Sequence, residues 1–369
     1  MKRGTIVFVF IIIIVIIAAP ALSKSQKVQE TVATFANEDF KPENIYTDLQ
    51  TLALRMDEEI LNGSDSFTFY LKDMNINELD NINHAVNGIY GSGETYQQIG
   101  TVGEDYIRVR IKVKRNINYY VLKAYLENEP IPEEEVKAKT LYEKVKSILN
   151  SNIRQGMSDY QKELILHDYL VKNCHYSENT EQGAESDIYR SYGALVNGDA
   201  VCNGYAEALQ LLFNCVGVES QFVVGTADGV DHAWNLVKIG DKWYHLDATW
   251  DDPLPDSGDK ILHPYFNVSD DVISDNHIWN KDDYPMAYSM DYNYYKYYNK
   301  YFTKFDDYKK AAYAEIVQHG NNHYEAVIEN YDENDSDMQF IFDGNYRYNT
   351  VNWQTFESGS YCVLVMQAE

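Results

Sequence analysis

Hydrophobic positions in residues 202–249 follow a helical period first and a strand period afterwards. From Cys202 to Val216 apolar residues recur every three or four positions, and Gly217 stands where a left-handed helix cap is expected. Short apolar or alternating runs then cover residues 221–224, 233–239 and 242–249. This region therefore predicts a helix followed by an antiparallel sheet, which is an α+β layout.

Two further helices are predicted before this region. One follows the proline-containing break at residues 130–135 and runs to about residue 149. The other begins at Ser158, where Gln161 completes a capping box, and continues to about residue 172. The helices and the sheet together predict a core domain at residues 131–288.

Mixed helical and strand patterns flank this core on both sides. On the N-terminal side a helix is predicted at residues 49–61, with strands at 67–71 and 106–113. On the C-terminal side a helix is predicted at 308–318, with strands at 324–328 and 361–366. We therefore expect two small α+β units, at residues 24–130 and 289–369.

Residues 1–23 differ from the rest of the chain and predict a targeting segment. Lys2 and Arg3 precede a nearly unbroken apolar run, which small residues follow up to Ala21 and Ser23. These features are typical of a secretory signal peptide cleaved after Ala21 or Ser23. The run also approaches the ~17 residues that can span a bilayer, so an uncleaved membrane anchor is the alternative. Either way, we expect a secreted protein or one on the extracellular face of the membrane.

Charge and cysteine content exclude several classes of protein. The net charge of −26 argues against nucleic-acid binding, which depends on basic residues that neutralise phosphates. Four scattered cysteines are too few for a disulfide scaffold, and at most one disulfide can form if Cys202 stays a free thiol. Without CxxC or paired Cys/His spacing, the sequence predicts no metal and no cofactor.

Cys202 is the candidate nucleophile. It lies at the start of the predicted helix, between Gly198 and Gly204. The dipole and unpaired N–H groups of a helix N-terminus favour a thiolate and can bind an oxyanion. A lone cysteine is more often a small buried residue, and Cys215, on the apolar face of the same helix, is assigned to that role. The interpretation of Cys202 therefore depends on its partners.

Hairpin geometry supplies these partners. Gly240-Asp241 is typical of a two-residue turn, which aligns Ile239 with Lys242. This register makes His232 and Asp247 diagonal neighbours on one face, where a carboxylate can orient an imidazole base. His245 lies on the same face and is the rival base. His232 is favoured because it begins its strand beside the loop at 225–231.

Three other patterns permit two interpretations each. Three tryptophans cluster around the hairpin: Trp234, Trp243 and Trp250. They either line a substrate groove or fill the core. Trp234 and Trp250 are the candidates for the groove. The tyrosines at 292–301 either recognise sugars or peptides or belong to an ordinary packed segment. An acidic loop either binds calcium or forms a solvated turn, although its spacing differs from that of a calcium loop. The residues of this loop are Asp251, Asp252, Asp256 and Asp259.

Several short motifs carry a resemblance to a known family. They are YGAL at 192–195, GDAVCNGYA at 198–206, VG at 224–225, HAWNLV at 232–237 and WYHLDATWD at 243–251. Together with flanking segments they resemble the transglutaminase-like superfamily, in its secreted bacterial branch, over about residues 135–285. The resemblance implies a papain-like α+β core and a catalytic triad of Cys202, His232 and Asp247.

The same resemblance implies amide hydrolysis or acyl transfer to an amine. The animal crosslinking enzymes use a tryptophan upstream of the nucleophile as an oxyanion donor, but no Trp precedes Cys202. We therefore expect the backbone N–H of Cys202 to stabilise the oxyanion, with Tyr192 as the candidate for the second donor.

The expected function is a cysteine enzyme that attacks an extracellular protein or a cell-wall peptide. Hydrolysis is favoured because no dedicated lysine site is visible. A protein-crosslinking enzyme and a non-catalytic binding or adhesion module are the alternatives, and the oligomeric state stays open.

Overall fold

The structure of the protein is a computed structural model, and it places the chain in the α+β class that the sequence predicts. Two compact units divide the chain, residues 1–120 and 121–369. The targeting segment and most of the predicted helix at 49–61 lie outside the described residues, and the domain boundaries at 23, 130 and 288 stay predictions. The structure describes residues 44–47, 51, 52, 55, 59, 63–73, 93–102, 106–178, 186–252, 261–332 and 350–368.

The first unit contains a four-stranded sheet. Its strands are β1 (Ile45–Tyr46), β2 (Ser66–Leu71), β3 (Gly93–Val102) and β4 (Tyr106–Arg115). They pair in the order β1-β2-β4-β3, with β1 parallel to β2 and the other neighbours antiparallel. The strands predicted at 67–71 and 106–113 are confirmed. Helix α1 (Ile117–Glu127) follows β4.

The second unit begins with helices that the sequence places well. The helices are α2 (Val136–Asn152), α3 (Asp159–Asn173) and α4 (Cys202–Val216). Two short parallel strands, β5 (His175–Tyr176) and β6 (Asp199–Ala200), lie between α3 and α4. The predicted capping box is present at α3, where the Ser158 side chain accepts from the backbone N–H of Gln161. Gly217 ends α4 in the left-handed conformation.

A five-stranded antiparallel sheet follows α4. Its strands are β7 (Ser220–Ala227), β8 (Val230–Ile239), β9 (Lys242–Leu246), β10 (Phe266–Val268) and β11 (His277–Trp279). The one-turn helix α5 (Asp270–Ile273) lies between β10 and β11. The strand order is β10-β9-β8-β7-β11. Sequence patterns did not reveal β10 and β11, which have only three residues each.

The β8–β9 hairpin has the predicted register. Ile239 pairs with Lys242 and Asn235 pairs with Leu246, and Gly240 adopts a φ of 66° in the two-residue turn. The prediction of strand as far as residue 249 is wrong, because β9 ends at Leu246. Beyond this residue the carboxylate of Asp247 accepts hydrogen bonds from the backbone N–H groups of Thr249 and Trp250, which turns the chain out of the sheet.

The C-terminal part forms another four-stranded sheet, with two short helices. Its elements are α6 (Tyr294–Tyr297), β12 (Tyr301–Phe302), α7 (Phe305–Tyr313), β13 (His323–Glu329), β14 (Val351–Ser358) and β15 (Tyr361–Ala368). The helix predicted at 308–318 is α-helical only to Tyr313 and continues as a π-helical turn, Ala314–Gln318. The strands pair in the order β12-β13-β15-β14.

One hydrophobic cluster joins the five-stranded sheet to the C-terminal sheet. Trp234 and Leu236 of β8 share it with Val327 of β13 and Val363 of β15, and each of these side chains is at most 1% exposed. On α4, Leu209 is fully buried, and truncation of such a side chain typically costs about 2–5 kcal/mol. Within the described ranges, no helix is both long and apolar enough for a membrane crossing.

Candidate active site

Cys202 opens α4, as the sequence predicts. The residue before it, Val201, is extended and its side chain makes no cap, so the first backbone N–H groups of the helix are available to another acceptor. Glycine is required at position 204 because a Cβ there would lie 2.7 Å from the carbonyl oxygen of Ile188. The segment before the helix therefore packs tightly on its first turn. Cys202 is 8% exposed at this point.

His232 and Asp247 form a short buried contact. Nε2 of His232 lies 2.6 Å from Oδ2 of Asp247, and Asp247 is fully buried. Its other oxygen, Oδ1, accepts from the backbone N–H of Thr249 at 3.0 Å and of Trp250 at 3.2 Å. The carboxylate is thus held on both oxygens, and it fixes the orientation of the imidazole.

The electrostatics of this contact favour a charged imidazole. Burial alone would lower the pKa of His232, but the charge of Asp247, its hydrogen bond and a hydrogen bond with the Cys202 thiol raise it to about 10. Burial would raise the pKa of Asp247, yet His232 and then His277 hold it below its usual range. Since Nε2 of His232 is used by Asp247, Nδ1 is the nitrogen left for the thiol. The three predicted residues are therefore brought together.

His277 completes the arrangement and was missed in the sequence. It lies on β11, opposite Ala227 of β7, and is 1% exposed. Its Nε2 is 3.0 Å from Oδ2 of Asp247, the same oxygen that His232 contacts. Its Nδ1 is 2.6 Å from Oδ1 of Asn276, which in turn donates from Nδ2 to the hydroxyl of Tyr265. No periodic signal identifies a three-residue strand that pairs with a segment 50 positions away.

The rival base, His245, has other partners. Its Nδ1 accepts a hydrogen bond of 2.9 Å from Nε1 of Trp234, and its Nε2 is 2.8 Å from Oδ1 of Asp270. Burial lowers the pKa of His245, in contrast to that of His232. Because both ring nitrogens are engaged away from Asp247, the geometry favours His232 as the base.

The two candidate groove tryptophans have different positions. Trp234 is 1% exposed and belongs to the hydrophobic cluster, so the groove interpretation is wrong for this residue and the core interpretation holds. Its indole N–H donates to Nδ1 of His245, so the fully buried indole has a hydrogen-bond partner. Trp250 is only partly buried, with its ring centroid 6.0 Å from that of His232 and 4.7 Å from that of His277. Trp250 stays a candidate for the groove.

Two tyrosines are candidates for the second oxyanion donor. Tyr192 precedes the π-helical turn Gly193–Asn197, and the ammonium of Lys137 lies 5.2 Å from its ring centroid. Tyr176, which sequence reasoning missed, pairs on β5 with Ala200, two residues before Cys202. Burial and then the negative charges of Cys202 and Asp247 raise the pKa of Tyr176 to about 12. The Tyr176 phenol therefore lies within electrostatic reach of the thiol.

The start of the acidic loop is structural. Asp251 is fully buried, with Oδ2 3.1 Å from Nε2 of His167 and Oδ1 accepting from the N–H of Tyr265 at 2.7 Å. Asp252 is also buried and accepts from the hydroxyl of Tyr205 at 2.5 Å. The prediction of a solvated turn is wrong for these two residues because each carboxylate has a buried donor. Asp256 and Asp259 lie outside the described residues.

The four cysteines are all free thiols, and no disulfide joins them. Burial raises the pKa of Cys174, Cys215 and Cys362 to about 12 in each case. These three thiols are therefore inert, and Cys215 has the structural role that the sequence predicts. Cys202 is the one that lies beside an imidazole.

The tyrosine-rich stretch is mainly packed. Tyr295 is fully buried and donates to Oε2 of Glu325 at 2.9 Å. The ring of Tyr297 stacks on that of Tyr160 at a centroid distance of 4.1 Å. Tyr297 and Tyr298 still expose 45% of their surface each. The segment thus serves the core first, as the simpler interpretation predicts.

Comparisons with known proteins identify the domain that carries the site. Residues 133–248 match the family model described as Transglutaminase-like superfamily. This part of the chain is therefore a transglutaminase-like domain, which confirms the family predicted from the motifs. His277 lies beyond the matched residues.

Individual relatives share only part of their length with this chain. The kyphoscoliosis peptidase of Mus musculus is 24% identical over 129 residues, which are 31% of this chain and 20% of that protein. The corresponding Homo sapiens protein is 22% identical over 122 residues, 30% of this chain and 18% of that protein. The chain thus spans about a fifth of the length of these curated relatives. A solved structure of Legionella pneumophila LapG is 12% identical, covers 49% of this chain and 94% of its own, and has a TM-score of 0.26.

The superfamily match and the Cys–His–Asp geometry together support an enzyme of the cysteine type.

Proposed function

We propose that this protein hydrolyses amide or peptide bonds through a thioester formed on Cys202. The observation that carries the proposal is the 2.6 Å contact between buried His232 and Asp247, next to a thiol at a helix N-terminus. A nucleophile, a base and an orienting carboxylate in hydrogen-bonding sequence are the parts that cysteine acyl transfer requires.

Acylation begins with attack of the Cys202 sulfur on the carbonyl carbon. The pKa of His232, raised to about 10, favours an imidazolium that can stabilise the thiolate and then donate its proton. As the C–N bond breaks, His232 Nδ1 gives this proton to the departing amine, and a thioester remains. Asp247 keeps Nε2 in place throughout.

The negative oxygen of the tetrahedral intermediate needs donors. The backbone N–H of Cys202 is the first, because helix dipole and position both favour an anion there. For the second donor we propose the Tyr176 hydroxyl, whose pKa already responds to the charge of Cys202. Tyr192, the choice made from the sequence, is the alternative donor.

Deacylation uses the same groups in reverse. Neutral His232 removes a proton from water, the resulting hydroxide attacks the thioester carbon, and the thiolate leaves. An amine that replaced water would give crosslinking instead. Hydrolysis is preferred here because the site residues include no feature that selects a lysine side chain.

His277 acts in this scheme as a positioning residue. It donates to Oδ2 of Asp247, which also accepts from His232. Imidazoles on two different strands therefore hold the carboxylate in place. Trp234 and Trp250 border both rings and limit the access of water to the pair. A drier site strengthens the charge–charge interaction between His232 and Asp247.

We also propose that the enzyme acts outside the membrane, on a surface protein or a cell-wall peptide. This part of the proposal depends on the N-terminal residues 1–23, whose composition favours export. With a net charge of −26, the protein is not expected to bind nucleic acid.

A substrate screen tests the proposal. The protein is incubated with a glutamine-containing protein, peptidoglycan peptides and a fluorescent primary amine, and the products are analysed by mass spectrometry. New peptide termini or conversion of glutamine to glutamate support hydrolysis, whereas incorporated amine indicates acyl transfer. Cys202→Ser must remove the activity while the circular dichroism spectrum stays unchanged. Activity that survives in Cys202→Ser contradicts the proposal.

A further inference from the structure

A second cluster of histidine and carboxylate side chains, apart from the triad, lies between α3 and the segment that joins β9 to β10. Nδ1 of His167 is 3.0 Å from Oδ1 of Asp168, and Nε2 of His263 is 3.1 Å from the same oxygen. The three ligand atoms all lie within 4.8 Å of one another. Two imidazole nitrogens and one carboxylate oxygen thus converge on a single point.

The far side of each histidine ring is held by a further carboxylate. Nε2 of His167 lies 3.1 Å from Oδ2 of Asp251, and Nδ1 of His263 lies 2.8 Å from Oε1 of Glu325. Histidines that ligate metals almost always donate their other N–H to a carboxylate, carbonyl or water, which sets the tautomer that binds. Both histidines of this cluster have that arrangement.

These outer carboxylates are fixed in turn. Asp251 accepts from the backbone N–H of Tyr265, and Glu325 accepts from the hydroxyl of Tyr295. The ring of Tyr294 lies parallel to that of His263, at a centroid distance of 3.7 Å. The direction of the converging nitrogens is therefore determined by several surrounding side chains.

Most of the cluster is buried, and Asp168 is its partly exposed member. His167 and Asp251 are fully buried, and His263 and Glu325 are at most 4% exposed, whereas the side chain of Asp168 is 33% exposed. Solvent consequently reaches the carboxylate on which both histidines converge. The exposed part of Asp168 is where an ion would enter the cluster.

We propose that His167, Asp168 and His263 bind a divalent transition-metal ion, with Asp251 and Glu325 as the outer carboxylates. Two imidazoles and a carboxylate, with a fourth position for water, suit Zn²⁺ and exclude Ca²⁺ or Mg²⁺ as the preferred ion, since these prefer oxygen ligands. Sequence spacing did not predict this site because its ligands are separated by 95 positions.

The ion would connect three parts of the second unit. His167 and Asp168 belong to α3, His263 belongs to the segment between β9 and β10, and Glu325 belongs to β13. The backbone N–H of Asp251 also donates to the carbonyl of Asp247 at 3.1 Å. Metal binding is therefore expected to stabilise the junction between the C-terminal sheet and the segment that carries Asp247.

Metal content and thermal stability test this proposal on the full-length protein. Cys202→Ala is the parent, so that the active-site thiol cannot contribute a ligand. After removal of metal with a chelator, the protein is dialysed against ZnCl₂ and its zinc is measured by mass spectrometry. CoCl₂ is used in parallel, since its visible spectrum reports nitrogen and oxygen ligands. We expect one retained ion per chain and a higher Tm with zinc.

Variants locate the ion. Asp168→Asn and His263→Gln should lose the retained zinc and the zinc-dependent rise in Tm, while Glu325→Gln should weaken binding by about 10- to 100-fold. Asp168→Asn is the decisive variant, because its partly exposed side chain keeps the shape of the native one and should fold normally.

Two controls exclude other sites. His175→Gln removes the exposed histidine that lies 3.5 Å from Asp199 and should leave the zinc content unchanged. His277→Gln removes a member of the other His–Asp–His group, formed with His232 and Asp247, and should also leave it unchanged. Zinc that is not retained by the parent, or that is retained equally by Asp168→Asn, overturns the proposal.

Discussion

Nε2 of His277 lies 3.0 Å from Oδ2 of Asp247, the oxygen that His232 contacts at 2.6 Å. A buried carboxylate that accepts two imidazole donors and two backbone N–H groups has little freedom to rotate or to take up a proton. The geometry therefore extends the predicted Cys–His–Asp arrangement by one residue from a distant strand.

Loss of the His277 contact should slow catalysis without unfolding the protein. A hydrogen bond to a charged group contributes about 1.5–3 kcal/mol, so His277→Gln should lower kcat by about tenfold or more. KM should change little, because the hydrogen bonds of His277 are with Asp247 and Asn276 rather than with the thiol. Steady-state kinetics on the substrate found in the screen measure both constants.

His245→Gln is the matched control for His277→Gln. His245 is equally buried and is bonded to Trp234 and Asp270 instead of Asp247. His245→Gln should lower Tm. Its kcat should stay within about twofold of that of the parent protein, because His245 does not contact the groups that act in the transition state. Equal losses of kcat in the two variants would reduce His277 to a structural role.

Replacement of Asp247 by Asn should have a much larger effect. The amide preserves shape but removes the charge that raises the pKa of His232, and it permits the wrong imidazole tautomer. A decrease in kcat of about 10³- to 10⁴-fold is expected, by analogy with other triads. An NMR titration of His232 should show a lower pKa in Asp247→Asn than in the parent protein.

The two candidate oxyanion donors can be distinguished by phenylalanine substitutions. Removal of one donor typically costs about 10²- to 10³-fold in kcat, which we expect for Tyr176→Phe. Tyr192→Phe keeps the ring that lies under Lys137 and should be nearly silent. The reverse result in the same kinetic assay would restore Tyr192 as the donor.

Glu163 makes stability depend on pH. It is fully buried on α3, and burial raises its pKa from 4.5 to about 8 although Asn267 donates to it. Its protonated form stabilises the fold, so this contribution is complete below the unfolded value of 4.5 and is lost as pH rises through about 8. The loss is on the order of a few kcal/mol.

Glu163→Gln removes this ionisation and should flatten the profile. Thermal unfolding followed by circular dichroism between pH 5 and pH 9 should show a fall in Tm for the parent that is much smaller in the variant. Glu143→Gln, at an exposed position of α2, is the control and should follow the parent. Parallel curves for parent and Glu163→Gln would contradict a buried neutral carboxyl.

Local sequence signals were sufficient for the Cys202–His232–Asp247 arrangement. Helical periodicity located Cys202 at the first residue of α4, and the Gly240-Asp241 turn fixed the register that places His232 beside Asp247. Both signals act over fewer than 20 residues, where periodicity and turn chemistry are informative.

The parts that were missed depend on contacts far apart in the chain. His277 reaches Asp247 only because β11 pairs with β7, and His263 meets Glu325 through the packing of the C-terminal sheet. Trp234 is a similar case, since its local pattern permits both a groove wall and a core residue, and only the fold shows that its N–H has a buried partner. Long-range pairing and burial cannot be obtained from a local pattern.

Alkylation of the folded protein by iodoacetamide, mapped by peptide mass spectrometry, tests the central claim most directly. Because Cys174, Cys215 and Cys362 are buried with pKa values raised to about 12, they should stay unmodified near neutral pH. Cys202 should react alone at pH 6, and His232→Gln should slow this reaction by about tenfold or more, since the imidazolium no longer stabilises the thiolate. A Cys202 that is not labelled in the folded protein, or that reacts at the same rate in His232→Gln, would contradict the account.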